Sequence, residues 1–403
     1  MSDYYQKLQD FMSDIRVVNT HCHHMPDDFF ESDFGLSKLI ENSYAAWCGF
    51  EIGSSFKEHE FFINSLRHRS FFFWLEKALQ ELYSVPEALS AESFSLFDKK
   101  IREAHEKDKD YHMHLLKEAC RYDRAILDAY WDTGSDDGHP EFFNTTFRID
   151  CYMLAYDKEK TDQNDTNAFL MFGAEFENID SVTDHIYAKL IEGKQKGVVA
   201  IKCASAYDRS LDFNIVTKEQ ARRVFEVSRE KRREEDEKAF QDYLFHEVCE
   251  LASEMNIPFQ VHTGLGALDK TNAMQLLPAI RAHADTKFVL FHGGYPWTDD
   301  ILGLAHLYPR QIFPDLCWLP LISPGKAIKF VSEIVDIISD GALCWGCDTW
   351  TSEESYGALL AARDVFAKAF SLKIEDGYFS FNDACNYING IMNKNVKELY
   401  GIE

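Results

Sequence analysis

Short apolar runs rich in Val, Ile, Phe and Cys recur along the whole chain, separated by longer stretches of helical periodicity. Such runs read as buried strands, and strands that alternate with helices read as parallel βα units. About eight are present: Ile15 to Val18, Ala125 to Leu127, Phe147 to Tyr152, Val198 to Cys203, Ile257 to Val261, Phe288 to Phe291, Ile312 to Trp318 and Ala342 to Cys347. The expected class is therefore α/β, a (β/α)8 TIM-like barrel, in which active-site residues sit at the C-terminal ends of strands. A barrel of this kind fills a long chain as one domain, so 403 residues do not demand several.

The first two runs stand about a hundred residues apart, far more than one βα crossover needs. Residues 29–121 are accordingly expected to form a large helical insertion after strand 1, lying over the barrel mouth and rich in aromatics such as Phe71-Phe72-Phe73-Trp74. The predicted division is 1–28 for the first strand and its metal motif, 29–121 for the insertion and 122–403 for the rest of the barrel. Thr217 to Met255 reads as one long helix with a charged, solvated start.

Charge narrows the partners. Lys and Arg number 42 against 67 Asp and Glu, a formal charge of −25 that disfavours phosphate backbones and anionic membranes. No apolar run approaches the ~18 residues that span a bilayer. Met1 to Asp14 lacks the basic start and apolar stretch of an export signal, so a cytoplasmic location is expected. The ten cysteines are irregularly spaced and read as reduced thiols. A small molecule is the expected partner, with neither nucleic acid nor membrane; self-association stays open.

The chemistry gathers where the apolar runs end. Asn19-Thr20-His21-Cys22-His23 follows the first run, and in extended backbone His21 and His23 point to the same side, ~6–7 Å apart along the strand and able to grip one ion. The fifth run ends in His262-Thr263-Gly264, the sixth in His292-Gly293-Gly294, and the eighth in Asp348. In a barrel these ends share one pocket, so four imidazoles and a carboxylate would meet there. Cys344-Trp345-Gly346-Cys347 has no second cysteine pair, and Gly264-Leu265-Gly266 lacks the third glycine of a dinucleotide loop.

In this order the residues resemble the amidohydrolase superfamily: His-x-His on strand one, Lys202 on strand four, His262 and His292 on strands five and six, Asp348 on strand eight. The likeness is strongest to the amidohydrolase-related branch. That branch includes uronate isomerase-like proteins, metal-dependent hydrolases and decarboxylases, and the hydrolase-like half of nodulin/glutamine-synthetase fusions. Tyr207-Asp208-Arg209 and the terminal Glu398-Leu399-Tyr400 share it.

The resemblance implies metal ligation by His21, His23, His262 and Asp348. His292 would bind a second metal or polarise the substrate, and Lys202, carboxylated, would bridge two metals in some branches. It implies one or two divalent transition ions per chain, zinc foremost and manganese as the alternative. Asp348 and His292 are the implied catalytic residues. Tyr207, Arg209 and Trp350 are candidate substrate contacts, with a salt bridge to one of the many acids as the other role open to Arg209. Asn19 departs from the family, many members of which carry Asp there. The implied activity is metal-dependent hydrolysis of an amide, lactone or ester of a small polar, carboxylated molecule. Sugar-acid isomerisation or decarboxylation is the alternative, and a non-catalytic interaction module the third.

Overall fold

A computed structural model describes residues 3–338 and 341–403; Met1 and Ser2, the first two residues of the Met1 to Asp14 segment, fall outside these. The strands are β1 (Val17–Cys22), β2 (Tyr122–Leu127), β3 (Phe143–Arg148), β4 (Val198–Cys203), β5 (Phe259–Val261), β6 (Phe288–Leu290) and β7 (Ile312–Pro314). They form one seven-stranded sheet in chain order. From β3 to β7 each strand pairs in parallel with the next. With the helices between strands this is an α/β, TIM-like arrangement.

β4 runs over the residues read from the sequence, β5 starts later than expected but ends with them at Val261, and β6 and β7 stop earlier than expected. Each stops where the backbone turns. Beyond β6, for example, His292 adopts a left-handed conformation at φ 64°, which no strand accommodates.

Ala342 to Cys347, read as an eighth strand, is not one. It makes a single parallel bridge, Cys344 with Asp315. Its continuation then hydrogen-bonds along β1: Trp345 O accepts the Thr20 N–H at 3.4 Å and the Asp348 N–H donates to His21 O at 2.9 Å. Gly346 explains the close fit, because a Cβ there would stand 2.6 Å from both the His21 N and the Thr20 Oγ1. Asp348, at φ 56°, ends the extended run.

The chain divides into two compact units, and the boundary passes through β2. The first comprises Met1–Ala125, Leu316–Val335 and Trp345–Lys394. Its segment between β1 and β2 includes helices at Phe56–Leu66, Ser70–Tyr83 and Phe94–Lys107. Ser55 and Glu58 cap the first of these reciprocally. The inward residues Phe62, Leu66, Phe72, Leu79, Phe97 and Ile101 lie in one buried apolar cluster, each contributing roughly 1.5–3 kcal/mol relative to exposure.

The second unit comprises Ile126–Asp315, Asp336–Cys344 and Asn395–Glu403. Here the single helix expected over Thr217 to Met255 is two, Lys218–Glu226 and Glu234–Glu254. The basic residues of the charge run cause the break. Arg229 Nε and Arg232 Nη1 both reach the buried Asp157 Oδ2 at 3.1 Å, and Arg232 Nε caps the Val224 carbonyl. Four acids then open the second helix, where its positive end favours them. No helix among the described residues is long and apolar enough to cross a membrane.

Candidate functional site

The first unit brings together His21, His23, Asp348 and Trp350. β1 presents both imidazoles, their rings 4.6 Å apart and nearly perpendicular. Each Nε2 lies 3.3 Å from the same atom, Asp348 Oδ1. All three side chains are buried, and one donor atom from each falls within 4.8 Å of the others. Two imidazoles converging on one buried carboxylate oxygen suit a shared cation, because burying a carboxylate without one is costly. This donor set therefore fits a divalent transition ion. Trp350 stacks on His23 at 5.6 Å.

Asn19 holds the frame of this group. Its Oδ1 accepts the N–H groups of His21 at 3.3 Å and Cys347 at 2.9 Å, and its Nδ2 donates to Cys347 Sγ at 3.0 Å. Thr349 Oγ1 donates to the same sulfur at 3.2 Å. Cys347 is thus a hydrogen-bonded packing thiol, and burial pushes both it and Cys344 above the ordinary thiol range.

The second unit brings together Lys202, Tyr207, His262 and His292. His292 Nε2 and His262 Nδ1 are 3.0 Å apart, and His262 Nε2 lies 2.6 Å from the Leu265 carbonyl. Since a carbonyl only accepts, His262 carries its proton on Nε2 and receives the His292 Nε2–H on Nδ1. The Tyr207 ring packs on His262 at 4.5 Å. Gly264 is required for packing: at φ +90° its Cβ would collide with the Tyr295 carbonyl.

Lys202 ends β4 facing two groups. Its Nζ lies 3.8 Å from Asp128 Oδ2 and 3.9 Å from the centre of the Phe291 ring. Arg148 grips the same Asp128 through Nη2 at 2.5 Å and Nε at 3.1 Å. Asp128 was not singled out from the sequence, although its signal was there: a carboxylate directly after a strand, as for Asp348. Arg209 is engaged in structure, with Nη2 2.7 Å from Asp242, Nη1 3.0 Å from Gln241 and the guanidinium over Phe213 at 4.3 Å. Arg209 thus makes a salt bridge, and it also lines the cavity of this unit.

A cavity of about 850 Å³ in this unit is lined by residues including Asp150, Asp162, Ser205, Asp208 and Arg209. Both Asp150 oxygens accept the Ala204 N–H at 2.9 Å, and Oδ1 also accepts the Ser205 hydroxyl. Burial, then the charges of Asp150 and Asp162, push the Asp208 carboxyl up to about 7.

The amidohydrolase family model matches residues 199–382, a stretch that contains Lys202, His262, His292 and Asp348. Protein fluG of Emericella nidulans is 28% identical over 176 residues, 41% of this chain; the match spans 20% of that longer protein. Among solved structures, uronate isomerase of Thermotoga maritima superposes with a TM-score of 0.78 at 15% identity, covering 99% of this chain and 98% of its own. Glucuronate isomerase of Caulobacter crescentus gives 0.77 at 13%, covering 99% and 94%. A candidate metal-dependent hydrolase of Lactobacillus casei gives 0.72 at 16%, covering 98% and 97%. These likenesses show the fold. Residues 199–382 are thus similar to the amidohydrolase family, and they include four of the ordered residues that carry the resemblance.

Proposed function

We propose that the chain is a metal-dependent hydrolase acting on an amide, lactone or ester of a small carboxylated molecule. The observation that carries this reading is the meeting of His21 Nε2 and His23 Nε2 on Asp348 Oδ1, each at 3.3 Å. These three residues would hold a divalent transition ion, zinc foremost and manganese second. Such an ion supplies Lewis acidity and activates water near neutral pH. Asp348 holds its oxygen where a proton can be taken up and later handed to a leaving group, the role of a general base. Trp350, stacked on His23, keeps bulk water from that imidazole. His262 and His292 remain the candidates for further ligation or for polarising a carbonyl. Lys202, engaged beside Asp128, is read as a cation, which favours one ion per chain over a pair bridged by a carboxylated lysine.

A second reading, sugar-acid isomerisation, rests on the two isomerases that share the fold over nearly the whole chain. Turnover in ¹⁸O-water separates the two. Hydrolysis places solvent oxygen in the new carboxylate, whereas isomerisation moves hydrogen between carbons and creates no carboxylate. A non-catalytic interaction module has less support, because it gives no reason to bury two imidazoles against a carboxylate. Substrate conversion that continues undiminished in Asp348→Asn would remove the assigned general base.

A further inference from the structure

Beside His23, in the first unit, four aromatic side chains form a continuous wall. Trp350 stacks on His23 with the planes 26° apart. Tyr44 meets Trp350 edge-on at 5.2 Å and lies 5.3 Å from Trp318. Trp47 lies 5.8 Å from Trp350 and 6.5 Å from Trp318. The rings come from three separate stretches of chain, so their meeting is a property of the fold.

Glu354 fastens the wall. This buried carboxylate accepts the Tyr44 N–H at 2.7 Å, tying the turn at Tyr44–Cys48 to the segment that carries Asp348. Tyr44 and Trp318 are covered, whereas Trp47 is 58% exposed although its ring is packed on the three others. An indole fixed in place with its outer side open is a preformed contact surface, and ordering it costs a ligand nothing further.

We propose that Trp47, held in place by Trp318 and Trp350, recognises a planar aromatic ring of the substrate, making the substrate an aryl-bearing carboxylic acid derivative rather than a sugar acid. This rests on the reading of His21, His23 and Asp348 as the reacting centre. The edge-on and tilted geometry among the four rings is the one a further ring extends. A sugar acid carries a hydroxyl on nearly every carbon and needs polar partners for each, and four aromatic side chains offer only an indole N–H or a phenol hydroxyl apiece.

Titration calorimetry of the full chain with phenylacetate and with glucuronate, with metal content measured on the same samples, tests this. Phenylacetate is expected to bind about tenfold or more tightly than glucuronate. Trp47→Ala should erase the preference while unfolding midpoint and metal content stay unchanged, and Trp47→Phe should keep most of it. Equal or tighter binding of glucuronate, or a preference that survives Trp47→Ala, would overturn the proposal. A ring preference in wild-type protein that holds no metal would sustain the aromatic subsite and defeat the metal reading alone.

Discussion

Asn19 holds Cys347 by both ends of its carboxamide, accepting the Cys347 N–H at 2.9 Å and donating to its Sγ at 3.0 Å. A carboxylate at this position could accept the first bond but not donate the second. Asn19→Asp is therefore expected to destabilise the fold by ~1–3 kcal/mol, the cost of setting a buried charge against an acceptor sulfur. Urea unfolding of the variant measures it, and an unchanged midpoint would show that the donated bond contributes nothing.

Gly346 lies against β1 at the level of His21. A methyl group there would sit 2.6 Å from the His21 N and the Thr20 Oγ1, so β1 must shift. Gly346→Ala should cost ~1–3 kcal/mol as overpacking and lower metal content by moving His21. If stability falls with full metal content retained, the strand adjusts without displacing its imidazole.

The strand ends were legible in the sequence because each chemical residue follows a short apolar run, and the order of those residues carries the resemblance to the amidohydrolases. Histidines 21 and 23 meet one carboxylate, as side-chain alternation in extended backbone implies. Other features lie outside one-dimensional patterns. The eighth run was read as a strand from its apolar composition, but Gly346 and the left-handed Asp348 reduce it to one bridge and an irregular path. The break after Glu226 depends on Asp157, far away in sequence, which draws Arg229 and Arg232 out of helical register. A salt bridge was one of two roles open to Arg209, and its pairing with Asp242 depends on a residue of another element that no local pattern links to it.

Asp208 couples stability to pH. Burial and the neighbouring Asp150 and Asp162 raise its carboxyl to about 7, so between the unfolded value of ~3.9 and that point the folded state binds the extra proton. Its contribution is present in full below the unfolded pKa and is lost as pH rises through about 7. Asp208→Asn should raise the melting temperature above pH 7, with the gain shrinking toward pH 4. A gain that is the same at both ends of the range would dissociate Asp208 from the pH dependence.

Asp128 faces two buried cations, Arg148 and Lys202. Removing its charge leaves both without that counterion, and Asp128→Asn is expected to destabilise by ~3–5 kcal/mol. Thermal unfolding checks this. A loss below ~1 kcal/mol, the range of exposed pairs, would mean that solvent or other groups balance the cations.

Metal analysis of purified wild-type chain beside the His21→Ala/His23→Ala double variant tests the central claim most directly. Wild type is expected to hold close to one equivalent of zinc or another transition ion, and the double variant, folded by circular dichroism, to hold essentially none. Full metal content in the folded double variant would contradict the assignment of His21, His23 and Asp348 as the metal-binding group.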